Sequence, residues 1–364
     1  MEQVDVVVVG GGVVGLACAA ELARANLSVC LLERHPRPGM ETSTHNSGVL
    51  HAGIYYPPGS LKARLCLEGN RLLYEFCAAH GVPYRRCGKL IVAPADRTSD
   101  LEALCARAIA NGVEEMELVD ADFIRQREPY ARATAALWSG TTGILEAESL
   151  VRALQRVCAD RDVIVLTSAA AIGGEATANG AIVRTPAEEI ATSTVVNCAG
   201  LYADEVSTIF GGEEFRIHPC RGEYVELVQS QWHLVNGLIY PLPRAAGHGL
   251  GVHATKTTWG SVLFGPTIRF QERKDDYESG RLSVEEFVEA VHDLLLEVKA
   301  SDLRLAGSGI RAKLHGPEGS FADFLIRRDA RVPQLVQVSG IDSPGLTSCL
   351  AIAKYVSRIV AGEL

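Results

Sequence analysis

The feature that most constrains this chain is a strand-like run followed at once by clustered glycines. Val4 to Val9 is rich in β-branched residues, and Gly10, Gly11, Gly12 and Gly15 come directly after it. That order reads as a strand buried on both faces that ends in a tight turn. Val14, Cys18, Leu22 and Ala25 then recur at three or four residues, which predicts a helix of about 14 residues. Leu27 to Leu32 reads as a second buried strand ending at Glu33. The whole is a βαβ unit, and the fold class expected of the chain is α/β (α+β) with a Rossmann-like nucleotide domain.

In Gly10-x-Gly12-x-x-Gly15 each glycine has a task. The first makes the turn, the second lets the backbone approach a pyrophosphate, and the third packs helix against strand. The helix start, Val13 and Val14, then faces the phosphates. Glu33, with Arg34 beside it, ends the second strand where a carboxylate accepts from both hydroxyls of an adenosine ribose, which favours FAD or NAD over NADP. The polar stretch Thr42-Ser43-Thr44-His45-Asn46-Ser47-Gly48 reads as a loop able to wrap a second phosphate and a ribityl chain.

With 364 residues, 47% of them hydrophobic and 22% charged, the chain should form two domains, and disorder, collagen and coiled coil are excluded. A net charge of −9 provides no positive field for nucleic acid. Val6 to Ala20 is short, glycine-rich and preceded by acids, so it is neither a signal peptide nor a membrane span. The ten cysteines include no C-x-x-C pair and are expected to be reduced, in a cytoplasmic protein. His248 and His253, five apart, do not make a metal pair, so no metal is expected.

Further along, Leu150 to Val165 reads as helix then strand, and Thr194 to Gly200 as a buried strand ending in a small-residue turn. Residues 216–270 alternate apolar and polar, as an antiparallel sheet requires. Ser283-x-x-Glu286 looks like a capping box, with Phe287, Val291, Leu294, Leu295 and Val298 along one face after it. Gly345-Leu346-Thr347-Ser348 opens a helix whose N-terminus could stabilise negative charge.

Four separated segments carry a resemblance. They are Val7 to Glu33; His45-Asn46-Ser47-Gly48-Val49-Leu50-His51-Ala52-Gly53 with Ile54 to Ala63; Arg221-Gly222-Glu223-Tyr224 with Gly251-Val252-His253 and Gly265-Pro266; and Gly309-Ile310-Arg311-Ala312-Lys313 with Asp323-Phe324 and Gly340 to Ser348. Together they make the chain resemble the FAD-dependent oxidoreductases of the D-amino acid oxidase superfamily, within it the L-2-hydroxyglutarate oxidase/dehydrogenase branch. The resemblance implies a discontinuous FAD domain from residues 1–80, 145–212 and 300–364, and a substrate domain from 81–144 and 213–299. It places the Ala199-Gly200 turn, Ala171, Gly309 and the Gly345–Ser348 helix start against a noncovalent FAD. Cys349 stands where the family pattern leads one to expect serine, but the attachment cysteine of covalent relatives belongs to another segment.

Oxidising a 2-hydroxy acid requires hydride transfer to a flavin, a base for the hydroxyl proton and a cation for the carboxylate. Arg311 resembles the strand-end arginine that binds substrate carboxylate in the superfamily, and a guanidinium fork suits that task. A five-carbon diacid needs a second cation, for which Arg221 and Lys256 are candidates. His51 and His253 are the candidate bases, because histidine exchanges protons near neutrality, and Tyr55 and Tyr240 are expected to line the pocket. The expected partners are a small carboxylate substrate and a quinone or oxygen as electron acceptor, with peripheral contact at the inner face of a membrane left open. The alternatives are oxidation of an amino acid or N-methyl amino acid, and a flavin-binding protein without turnover.

Overall fold

In the computed structural model the described residues are 2–243, 252–295, 297–319 and 321–364. Gly251 of the third segment and His248 therefore lie outside the described residues. Two large sheets form the core. In the first, strand Glu2–Val9 pairs in parallel with Val29–Leu32 on one side and Glu189–Asn197 on the other. Ile164–Leu166 extends the parallel edge beyond Val29–Leu32, and Leu335–Ser339 pairs in parallel with Glu189–Asn197. Helix Val13–Arg24 makes the first crossover, as the 3.6-residue spacing predicts. Leu16, Cys18, Ala19 and Leu22 are fully buried against the sheet and the C-terminal helix Gly345–Val360.

The second sheet is largely antiparallel. Across it run Leu303–Lys313, His218–Leu227, Val262–Gly265, His253–Lys256, Leu238–Pro241 and Lys89–Ala93, each beside the next. The last pair, Leu238–Pro241 with Lys89–Ala93, is parallel. Strand Leu303–Lys313 pairs along its length with His218–Leu227. Residues 303–313, expected within the nucleotide domain, thus form a strand of the other sheet, because a strand's partner and not its place in the chain decides its layer. Ser283 caps helix Val284–His292 in a capping box with Glu286, and Phe287, Val291, Leu294, Leu295 and Val298 are all buried beneath the second sheet. No helix among the described residues is long and apolar enough to cross a membrane.

Candidate active site

One cavity of about 690 Å³ runs between the two sheets, from Glu33 at one end to His51, His253 and Arg311 at the other. Its nucleotide end is built by the glycines. Gly10 has φ +110°, and a Cβ there would lie 2.4 Å from the Cys198 carbonyl oxygen. Only glycine lets the first strand, its turn and the end of Glu189–Asn197 come so close. A Cβ on Gly15 would meet the Gly10 carbonyl oxygen at 1.9 Å, so this glycine serves the helix–strand contact and does not line the cavity. Gly12, Val13 and Val14 do line it.

Glu33 is 6% exposed and held at both oxygens, accepting from the Gly11 N–H at 2.9 Å and the His35 N–H at 2.7 Å. This fixes a carboxylate at the strand end with lone pairs still available to hydroxyl donors. Arg34 lies over the Tyr202 ring at 4.1 Å, and Ala171, Ala199 and Gly200 complete this end.

The loop 42–48 forms the middle wall. Ser43 Oγ accepts from the Val13 N–H at 3.0 Å, which closes the loop over the first helix N-terminus. Asn46 shapes the loop by donating to the carbonyls of Thr42 and Ser43 and accepting from the Gly48 N–H. His45, Asn46 and Ser47 line the cavity, whereas Thr44 turns away and donates to the Gly39 carbonyl. A Cβ on Gly309 would stand 1.9 Å from the His45 carbonyl oxygen, so loop and strand touch backbone to backbone there. From the C-terminal helix, Gly345 and Leu346 reach the cavity. Thr347 and Ser348 are fully buried instead, and Thr347 Oγ1 accepts from the His51 N–H and donates to the Val49 carbonyl.

At the far end the second sheet presents one face to the cavity. Tyr240, His253, Gly222, Tyr224 and Arg311 line it from neighbouring strands. His253 stacks on Tyr240 with centroids 3.6 Å apart and planes 11° from parallel. His51 approaches from the opposite wall, with Nε2 3.2 Å from Ser343 Oγ. Burial, aided by the Lys89 charge, pushes His51 down to about 3. His253 is held well below the usual histidine range by burial and by the charges of Lys89, His51 and Arg311. Both imidazoles are therefore neutral near neutral pH, the form in which histidine accepts a proton.

Arg311 Nη1 and Nη2 both donate to the Thr267 carbonyl at 3.2 Å, and Nη1 also lies 3.7 Å from Cys220 Sγ. These contacts occupy the end-on edge of the guanidinium, and among the described residues none accepts a hydrogen bond from Nε, which leaves the Nε/Nη2 edge for two parallel bonds to a carboxylate. Tyr55 lines the same end.

Two expected substrate cations lie elsewhere. Arg221 is 1% exposed, ion-paired with Glu223 at 2.9 Å, and donates to the carbonyls of Asp276 and Ser279. Its neighbours Gly222 and Tyr224 face the cavity, and the two-residue period of a strand sends Arg221 and Glu223 to the other side. Lys256 donates to the Trp232 carbonyl at 2.6 Å and sits near Glu128 and Arg85, away from the cavity. Both are corrected to structural positions.

Sequence reasoning missed several residues at the site. Ser43 belongs to the loop that the sequence pointed to, but its contact with the first helix start was not foreseen. Lys62 and Lys313 share Asp342, at 2.7 and 3.0 Å, on the cavity wall, though they are remote in sequence. Lys89, which lies behind the cavity against the Tyr55 and Tyr240 rings and does not line it, carried no signal, since it opens an apolar strand. Cys349 is fully buried, does not line the cavity, and burial pushes its thiol up to about 12, so it offers no thiolate to a cofactor.

Residues 5–359 match the family model described as FAD dependent oxidoreductase. The chain belongs to this family. The cradle at Gly10, the anchored Glu33 and the close approach at Gly309 fit FAD, which this oxidoreductase uses. Two curated relatives bear the name L-2-hydroxyglutarate dehydrogenase. The protein from Escherichia coli (strain K12) is 32% identical over 97% of this chain and 92% of its own length, and the mitochondrial one from Arabidopsis thaliana is 35% identical over 98% and 83%. Among solved structures, reduced L-α-glycerophosphate oxidase from Mycoplasma pneumoniae with FAD bound superposes with a TM-score of 0.90. It is 26% identical, covering 99% of this chain and 95% of that one.

Proposed function

We propose that this oxidoreductase converts a small 2-hydroxy diacid, L-2-hydroxyglutarate, to its 2-oxo acid. The observation that carries the reading is the convergence, at one end of the cavity, of a guanidinium with an open edge and two neutral histidines. The names of the relatives support the substrate.

Oxidation of a CH–OH carbon removes a proton from oxygen and a hydride from carbon; FAD, when bound, supplies the hydride acceptor. Arg311 binds the carboxylate beside the reacting carbon and so fixes the orientation of that carbon in the cavity. His253 or His51 takes the hydroxyl proton at a ring nitrogen, since His253 Nε2 and His51 Nδ1 are both buried without a partner. Tyr240, stacked on His253, keeps that ring in plane, and Ser343 orients His51. A quinone or oxygen would be the final electron acceptor, in a cytoplasmic protein or one resting on the inner face of a membrane.

The test is an anaerobic visible spectrum of the purified protein before and after adding L-2-hydroxyglutarate, alongside D-2-hydroxyglutarate, L-lactate, glycerol 3-phosphate and sarcosine. Flavin bleaching by the L-diacid alone is expected. Bleaching by sarcosine instead would move the chemistry to a C–N bond, and bleaching by none of them would remove the reading.

A further inference from the structure

Seven buried side-chain atoms among the described residues have no hydrogen-bond partner, and four of them gather at the catalytic end: His51 Nδ1, His253 Nε2, Tyr55 Oη and Lys89 Nζ. The histidines have a task already. Lys89 does not: it is 0% exposed, and its ammonium lies 4.7 Å from the Tyr55 ring centre and 4.6 Å from that of Tyr240, both rings on the cavity wall. Burying a lysine without an anionic partner is costly, and a pair of aromatic faces recovers only part of that cost.

The sheet order places this lysine with purpose. His253 stands on strand His253–Lys256. Two strands to one side is Lys89–Ala93, and three strands to the other is Leu303–Lys313, which carries Arg311. The two cations thus flank His253 from opposite sides, and both act on it electrostatically. A 2-hydroxy diacid whose hydroxyl meets His253 extends one carboxylate to each side.

We propose that Lys89 and the Tyr55 hydroxyl form the subsite for the second carboxylate, while Arg311 holds the carboxylate beside the reacting carbon. This rests on the 2-hydroxy-acid reading above. Lys89 does not itself line the cavity; its ammonium lies over the Tyr55 ring, which does, and the Tyr55 hydroxyl has no hydrogen bond to hold it, so turning of that side chain would bring the ammonium to the ligand. Burial pushes Lys89 down to about 7, and an arriving carboxylate restores its charge. The lysines that do line the wall, Lys62 and Lys313, already share the Asp342 carboxylate.

The test uses the FAD-loaded full chain and its Lys89→Met, Tyr55→Phe and Lys313→Met variants. Two readouts are taken. One is kcat/KM for L-2-hydroxyglutarate against L-2-hydroxypentanoate, which has the same carbon chain and one carboxylate. The other is the flavin difference spectrum on titration with glutarate against pentanoate, which reports binding whether or not turnover occurs. Lys89→Met should lower the preference for the diacid roughly 30-fold in both readouts, through KM and Kd with kcat little changed, as expected for one charge-assisted contact. Tyr55→Phe should lower it by about 5-fold, one neutral donor's share. The melting temperature of Lys89→Met should not fall, since methionine of similar shape relieves the buried charge.

Equal losses on diacid and monoacid, an unchanged preference, or loss of the preference in Lys313→Met alone would each overturn the assignment, as would a wild type that binds glutarate no tighter than pentanoate. Tight glutarate binding that depends on Lys89, with no oxidation of L-2-hydroxyglutarate, would leave the subsite standing and sink the functional reading instead.

Discussion

Replacing Arg311 by alanine tests the centre of the proposed chemistry. The guanidinium spends its end-on edge on the Thr267 carbonyl, packs over Gly222, where a Cβ would lie 2.7 Å from Nη2, and keeps Nε and one Nη2 hydrogen open. Two charge-assisted bonds to a carboxylate at about 1.5 kcal/mol each amount to roughly 3 kcal/mol, and at 1.4 kcal/mol per tenfold that is a loss of roughly 150-fold in kcat/KM. The loss should fall mainly on KM, since the clamp acts on bound substrate and transition state alike. Arg311→Lys keeps the charge without the fork and should recover part of the loss. The assay is steady-state oxidation of L-2-hydroxyglutarate with flavin absorbance recorded on the same samples. A loss below tenfold in the alanine variant, with FAD retained, would refute the clamp.

Other substitutions probe separate parts of the argument. Of His253→Gln and His51→Gln, the one that removes the base should lower kcat about 10²- to 10⁴-fold, and equal small effects would exclude both as the base. Because both histidines are held below their ordinary value, their neutral form persists as pH falls, so kcat/KM should show no loss on the acid side near pH 6.5; a fall there as pH is lowered would show an imidazole with an ordinary pKa. Gly309→Ala should yield protein purified without flavin colour, because its Cβ would collide with the His45 backbone; a yellow variant would contradict the close approach. Glu128, 4% exposed, is pushed up to about 7 by burial, so between about pH 4.5 and 7 the native state holds a proton that the unfolded chain has released. Stability therefore falls as pH rises through that window, and Glu128→Gln should flatten the melting temperature between pH 5 and pH 8; an unchanged slope would show that another group carries it.

The nucleotide end was legible in the sequence because its signals are local. The strand, the turn glycines, the helix period and Glu33 lie within the first 33 residues, and their spacing alone dictates the βαβ unit. The capping box at Ser283 was legible for the same reason, since its two partners are three residues apart. The catalytic end was only half legible. Arg311 was identified by resemblance and His51 and His253 by the proton chemistry of histidine, and the structure brings all three onto one cavity.

Arg221 and Lys256, the candidates for a second carboxylate, lie outside the cavity, while Lys89 was overlooked although it is packed between two cavity tyrosines. The physical reason is the strand's two-residue period. It guarantees that Arg221 and Gly222 point opposite ways, but which way faces the cavity depends on which sheet packs beneath. What the sequence by itself determined was therefore the set of elements and the phosphate-binding turn, which depend on neighbours in the chain. What only the tertiary structure decided was which cations stand at the cavity and which turn away from it, because that depends on strands joined side by side although they lie more than two hundred residues apart in the chain, as Lys89–Ala93 and Leu303–Lys313 do within one sheet.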